Sequence, residues 1–282
     1  MAGTLRVVTL NLWGDHAPLA ARLRAAARGL PALQPDVVLL QEVRAGDGLA
    51  NTAETLAGLL GAPYGHAYGC ATRRGPGTWG PGSAAGEEGL AILSRHRLEP
   101  AIAVELPEAR ADERRILLSV RLDLPGATVF CHTTHLHWRL GDGVARERQV
   151  VAVDAAARAL GDAVHILGGD FNAAVDCDEI RFLLGRHTLE GRRAVWQDAF
   201  ARVHPGEPGH TWTRANPATA ELAHLELGRR IDLLLVSPER RDGRGRVLDA
   251  RVVLDGPDED GVWPSDHLGV CADVRVAPAP AS

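Results

Sequence analysis

Six short segments each set an amide, a carboxylate or an imidazole at the end of an apolar run. Thr9-Leu10-Asn11 closes one run with Asn11, and Val37-Val38-Leu39-Leu40-Gln41-Glu42 closes another with Glu42. Phe130-Cys131-His132-Thr133-Thr134-His135-Leu136-His137 ends in a histidine cluster, and Ile166-Leu167-Gly168-Gly169-Asp170-Phe171-Asn172 ends in Asp-x-Asn. Asp232 opens a later run after Arg230-Ile231, and Ser265-Asp266-His267 precedes the last one. Taken singly, each has a plain reading: a solvated strand-end charge, turn chemistry, or a satisfied polar partner. Taken together, they offer oxygen and imidazole donors without cysteine. That set suits a hard cation such as Mg2+ or Mn2+ rather than structural zinc.

The elements that would position these groups are mostly strands. Apolar runs rich in Val, Ile and Leu span 5–11, 36–41, 89–94, 115–122, 127–134, 163–168, 230–236, 247–254 and 268–276. Helical spacing appears over 18–30, over 51–60 behind an Asn51-Thr52 cap, and over 143–160. Arg146 and Arg148 on the last of these read as a solvated face. Many strands with few helices predict packed sheets with helices outside, an α/β fold. Residues 73–88 are rich in glycine and proline and read as a long loop. Within it Arg73 and Arg74 are candidates to hold a phosphate, and Trp79 to stack on a base or sugar; an ordinary surface loop weighs equally. No interdomain linker is evident. We expect a single domain over 1–277 and a frayed tail over 278–282.

Composition narrows the chemistry. The chain has 282 residues, 31 of them basic and 36 acidic, for a formal net charge of −5. Every basic residue is arginine, so a P-loop lysine, a Schiff base and a Ser–Lys dyad are excluded. The acidic balance disfavours nonspecific coating of nucleic acid. Four scattered cysteines without a CxxC pair read as buried thiols in a reducing compartment. No membrane span and no secretory segment are seen, and the expected location is cytoplasmic.

The ordered series Leu-Asn-Leu-Trp, Leu-Gln-Glu-Val, Gly-Leu-Ala-Ile-Leu-Ser-Arg, Thr-His-Leu, Gly-Asp-Phe-Asn, Arg-Ile-Asp and Ser-Asp-His resembles the endonuclease/exonuclease/phosphatase superfamily over residues 5 to 276. The resemblance implies a four-layer α/β sandwich, with two packed, mainly antiparallel sheets flanked by helices. It implies a phosphodiesterase or phosphatase that uses Mg2+ or Mn2+. In that reading Glu42 is the principal metal ligand, helped by Asn11 and Asp266. Asp170 and Asn172 orient or deprotonate the attacking water, His135 contacts a phosphate oxygen or the leaving group, and Asp232 holds and polarises His267. Family members differ over whether the base is Asp170 or His267, and over one metal ion or two.

The physical requirements agree: an in-line water, neutralised nonbridging oxygens and a stabilised leaving oxygen. Carboxylates alone would repel phosphate, so a metal and imidazoles must supply positive charge. The segments Trp196-Gln197-Asp198-Ala199-Phe200, Thr211-Trp212-Thr213 and Trp263-Pro264-Ser265-Asp266-His267 are similar to the branch containing 5′-tyrosyl-DNA phosphodiesterases. The expected substrate is a phosphorylated small molecule or a nucleic-acid end, handled by a monomer. A nuclease acting on specific DNA or RNA ends and an inactive binding scaffold are the alternatives. A calcineurin-type metallophosphoesterase would need Gly-Asn-His-Asp/Glu, which is absent.

Overall fold

The computed structural model of the chain describes residues 3–46, 50–61, 63–77, 85–107, 113–220 and 228–278. Its strands are β1 (Thr4–Asn11), β2 (Val37–Ala45), β3 (Gly65–Arg74), β4 (Gly86–Ser94), β5 (Ile102–Glu105), β6 (Ile116–Leu124), β7 (Ala127–His135), β8 (Val164–Asp170), β9 (Gln197–Asp198), β10 (Asp232–Val236), β11 (Val247–Val253) and β12 (Gly269–Arg275). The helices are α1 (Leu19–Leu33), α2 (Thr52–Leu59), α3 (Gly143–Ala159), α4 (Asp178–Leu183) and α5 (Ala199–Val203). Two six-stranded sheets form, in the orders β11-β12-β1-β2-β4-β3 and β5-β6-β7-β8-β10-β9. Pairing is antiparallel except for β1 with β2 and β7 with β8.

Period-two patterning builds the layers. In β1, Leu5 and Val7 face the core between the sheets, where they join Val37, Leu39, Ile116, Leu118, Val129 and Ile166. Val8 and Leu10 point the other way, under Leu23, Ala26 and Leu30 of α1 and Leu56 of α2. On the outer face of the second sheet, Leu167 and Leu233 pack beneath Val150 and Val153 of α3 and Ile180 of α4. The result is the expected four-layer sandwich. Asn51 caps α2 as its sequence predicts, accepting the Ala53 and Glu54 N–H groups at 2.9 and 3.3 Å.

The parallel pairs bring strand C-termini to one end of the sandwich. Asn11 lies beside Gln41 and His135 beside Asp170. Antiparallel β10 begins at the same end, with Asp232 opposite Asp170. The two glycines before Asp170 allow the approach. A Cβ on Gly169 would stand 2.1 Å from the Thr134 carbonyl oxygen. One on Gly168 would meet Leu39 of the facing sheet at 2.6 Å.

Several expectations are corrected. Residues 73–88 are not one loop: Arg73 and Arg74 end β3, Gly86–Glu88 begin β4, and the two strands pair as a hairpin. Gly86 permits the pairing rather than breaking it, because a Cβ there would stand 2.7 Å from the Ala45 carbonyl oxygen of the neighbouring strand β2. Trp79 lies outside the described residues, as do 279–282 of the tail. Arg146 is buried rather than solvated, with Nε 2.6 Å from Glu179 Oε1; Arg148 is exposed as expected. The cysteines are free, but Cys70 is exposed and Cys177 half-buried, so only Cys131 and Cys271 are buried thiols. No helix among the described residues is long and apolar enough to cross a membrane.

Candidate active site

Asp170 is the hub. It is buried at the end of β8, and three polar groups converge on its Oδ2: Asn11 Nδ2 at 3.0 Å, His135 Nε2 at 3.5 Å and His267 Nε2 at 3.7 Å. Its Oδ1 accepts the Asn172 N–H at 2.9 Å. Asn172 sits in the left-handed region at φ 52°, and its Nδ2 donates to the Leu136 carbonyl at 3.1 Å. The Asp-x-Asn turn therefore ties β8 to the residue after His135. The two imidazole distances exceed those of direct hydrogen bonds.

The two imidazoles differ in charge, one cationic and one neutral. Burial alone would lower His267, but the carboxylates of Asp232, Asp170 and Asp266 outweigh it and hold its pKa well above 6.5. The Asp232 carboxylate accepts from Nδ1 at 2.9 Å, which leaves Nε2 facing Asp170. Burial, reinforced by the positive charges of Arg115 and His267, pushes His135 well below 6.5. Asp170 itself is raised to about 6, chiefly by burial and partly by Asp232, against the pull of His267. A neutral imidazole, an imidazolium and a carboxylate poised near neutrality thus share one point, the environment-driven division of labour that acid–base catalysis uses.

A second acidic group lies on the first sheet. Glu42 occupies a bulge in β2, between the Leu40 and Val43 pairs with β4, at φ 52°. A non-glycine residue in this region is strained, and such strain collects at functional sites. Burial, then the charges of Glu88 and Asp266, raise Glu42 to about 8, although Asn11 donates to its Oε1 at 3.0 Å. Asn11 faces both Glu42 and Asp170 with its nitrogen, while its oxygen accepts the Trp13 N–H at 2.9 Å. Separately, Asp170, Asp232 and His267 place donor atoms within 4.8 Å of one another, a composition that fits a cation as well as a proton network.

Every candidate among Asn11, Glu42, His135, Asp170, Asn172, Asp232, Asp266 and His267 stands at this end of the sandwich. The others do not join them. Arg73 is exposed and paired with Glu87 on the hairpin, and its neighbour Arg74 shares that edge strand. His137 lies beyond the end of β7 rather than on a strand face with His135. It is fully buried, 3.0 Å from Glu113 and 2.8 Å from Asp142. His132 is inside the second sheet, between Ser119 Oγ at 2.8 Å and His165 Nδ1 at 3.1 Å.

Sequence reasoning passed over five residues that build the site. Glu88 and Arg115 line one narrow recess with His135. Thr211 Oγ1 accepts the N–H groups of Ile231 and Asp232 at 3.2 and 3.1 Å, and its carbonyl accepts the Leu268 N–H at 2.7 Å. It thereby ties together the two segments that supply Asp232 and His267. Asn216 Nδ2 donates to the Ser265 and Asp266 carbonyls at 2.7 and 3.1 Å. Arg22, buried in α1, donates to the carbonyls of Leu12 (2.6 Å), Trp13 (3.2 Å), Gly14 (3.2 Å), His16 (2.6 and 3.0 Å) and Pro264 (3.3 Å). This guanidinium fastens the loop after Asn11 to the loop before Asp266. The Thr-Trp-Thr segment and the apolar helix spacing were visible, but nothing local marks a threonine or an arginine as a clasp.

The Arg22 clasp carries a prediction. Lysine keeps the charge but lacks the planar fork that reaches five carbonyls. Arg22→Lys is expected to lose roughly 3 kcal/mol of stability, because several buried carbonyls are left unpaired. Urea unfolding measures it; a change below about 0.5 kcal/mol would show that the clasp is dispensable.

Residues 8–267 match the family model described as Endonuclease/Exonuclease/phosphatase family. The chain belongs to the Endonuclease/Exonuclease/phosphatase family. It is a hydrolase of the phosphoesterase and nuclease type. No curated protein matches it in sequence. Among solved structures, an endonuclease/exonuclease/phosphatase from Beutenbergia cavernae DSM 12333 superposes with TM-score 0.72 at 26% identity, over 99% of this chain and 73% of that one. D. rerio TDP2 complexed with single strand DNA product gives TM-score 0.72 at 19% identity, over 96% and 98%. The human Nocturnin catalytic domain with bound sulfate gives 0.68 at 19% identity, over 97% and 94%. The last two share the fold with this family member.

Proposed function

We propose that this family member is a divalent-metal-dependent phosphodiesterase that acts by in-line attack of water on phosphorus, on small phosphodiesters or nucleic-acid ends. The observation that carries the reading is Asp170 held between a neutral and a cationic imidazole. Asp170 Oδ2 takes the proton of the attacking water. Asn172 and Asn11 fix the carboxylate, so its basic oxygen is aimed before substrate arrives. The His267 imidazolium balances the negative charge that builds on the phosphoryl oxygens, and Asp232 keeps it charged and oriented. Neutral His135 donates a hydrogen bond from Nε2 to a phosphoryl or leaving oxygen.

Burial first, and then the neighbouring carboxylates of Glu88 and Asp266, hold Glu42 far above the usual carboxylate range, and a cation beside these three groups would relieve both costs. Glu42 with Asp266 and Glu88 would hold Mg2+ or Mn2+, and such an ion supplies charge neutralisation at the phosphate. Asn11 is a positioning residue in this reading, because its nitrogen rather than its oxygen meets Glu42. The single-strand DNA product bound by the structurally similar TDP2 supports a nucleic-acid end as one substrate class.

Bis(p-nitrophenyl) phosphate hydrolysis is expected to require Mg2+ or Mn2+, to stop with chelator, and to exceed p-nitrophenyl phosphate hydrolysis. Full activity in a metal-free sample would defeat the proposal, and no activity on either ester would leave a binding scaffold. Glu42→Gln removes one negative charge from the acidic group. It is expected to weaken Mn2+ binding by about tenfold or more in calorimetric titration, with the fold intact.

A further inference from the structure

The loop that follows His135 and the start of α3 expose apolar side chains in a place that is otherwise tightly built. Six large apolar side chains are exposed among the described residues, and three of them, Trp138 (53%), Leu140 (49%) and Val144 (60%), fall within seven positions of one another. Their backbone is clamped. Arg146 donates to the carbonyls of His137 (3.2 Å), Arg139 (2.7 Å) and Leu140 (3.4 Å) while its Nε pairs with Glu179. His137 is anchored by Glu113 and Asp142, and its N–H donates to Gln149 at 3.0 Å. At the other end, the Leu136 N–H donates to the Asp170 carbonyl at 2.9 Å. A rigid segment joined to the hub of the site thus holds a tryptophan out toward solvent. The Arg139 guanidinium lies over its ring, 4.7 Å from the centroid.

We propose that Trp138, backed by Arg139, is a stacking ledge for the nucleobase of the nucleotide next to the scissile phosphate, at a single-stranded nucleic-acid end. The inference rests on the phosphodiesterase reading above and adds the recognition element. Trp138 stands three residues past His135, so their Cα atoms are within about 11 Å, the span of one or two nucleotides. An indole with a cation over its ring presents a polarised π-surface, which suits a flat base followed by an anionic phosphate. A lipid surface would call for a broad apolar patch. Here the exposed large apolar side chains of the segment are three, and a guanidinium lies over the largest of them.

Two measurements decide it. Fluorescence anisotropy with 3′-fluorescein oligothymidylate of four nucleotides, in chelator so that nothing is cleaved, is expected to show Trp138→Ala binding about tenfold more weakly than wild type and Trp138→Phe within threefold. In turnover, the preference for thymidine 5′-(p-nitrophenyl phosphate) over methyl p-nitrophenyl phosphate, as a ratio of kcat/KM values, is expected to fall about tenfold in Trp138→Ala and to be restored in Trp138→Phe. Equal oligonucleotide binding by wild type and Trp138→Ala, or no binding by wild type, overturns the ledge. So does sedimentation of wild type, but not of Trp138→Ala, with phosphatidylcholine–sphingomyelin vesicles. Failure to hydrolyse either diester would instead overturn the phosphodiesterase reading, while the anisotropy would still decide the ledge.

Discussion

Asp170→Asn is expected to lower kcat/KM by about three to four orders of magnitude, and to raise the melting temperature of the metal-free protein. The two effects have one cause. The carboxylate is buried beside Asp232, so its ionised form is disfavoured and its pKa rises to about 6. A carboxyl group raised above its unfolded value near 3.9 adds nothing below that pH. It costs stability increasingly as pH climbs toward 6 and fully above it. Asparagine keeps the shape and removes the charge, so the penalty at neutral pH disappears along with the proposed base. The kcat/KM profile of wild type should rise through the Asp170 pKa, and that limb should vanish in the variant. Differential scanning fluorimetry in chelator and a pH–rate profile check the two halves. A variant that turns over like wild type would remove Asp170 from the chemistry.

The second large effect concerns His267 and Asp232. His267→Ala is expected to cost about a hundredfold to a thousandfold in kcat, and Asp232→Asn most of that. The double variant should be little worse than the worse single one, because Asp232 acts through the imidazole it holds at 2.9 Å. Losses that multiply would mean that the two act independently. A stability test accompanies the kinetics. His267 has a folded pKa well above its unfolded value, so its stabilising contribution is fully present below about pH 6.5. It fades as pH rises through the raised pKa. The melting difference between wild type and Asp232→Asn should therefore be largest at and below about pH 6.5 and narrow in alkaline buffer. Asp232 Oδ1 has no hydrogen-bond partner among the described residues, so the charge of this buried carboxylate is balanced mainly through His267.

The sequence exposes the residues of the site better than the frame around them. Asn11, Glu42, His135, Asp170, Asp232 and His267 are legible because each interrupts an apolar run at its end, and strand ends are where a sheet can present a fixed side chain. Their arrival at one place depends on two parallel pairings that no local pattern announces. Glu88 was hidden because a Glu-Glu pair on a glycine-rich segment reads as solvated surface. It becomes part of the acidic group only when β4 pairs with the bulged end of β2. Strands β3 and β5 escaped because Gly-His-Ala-Tyr-Gly-Cys and Ile-Ala-Val-Glu carry weak alternation, as edge strands often do. Arg146 was misjudged for a similar reason: its partner Glu179 lies 33 residues away, beyond any helical charge pattern.

The groups of the candidate site are shared between two slabs. Asn11 and Glu42 ride on the first sheet, His135, Asp170 and Asp232 on the second, and the Asn11–Asp170 bond crosses the gap at 3.0 Å. Two residues before Asp170, Gly168 sets the thickness of that gap, since even one methyl there would collide with Leu39. The candidate site is thus set like a caliper whose jaws are the sheets and whose stop is a missing side chain. On the proposed mechanism, a small change in interlayer spacing shifts Asn11 and Glu42 against His135 and Asp170. A side chain at Gly168 would therefore disturb two things at once, the packing of Leu39 and Leu234 between the slabs and the alignment of the groups at their ends.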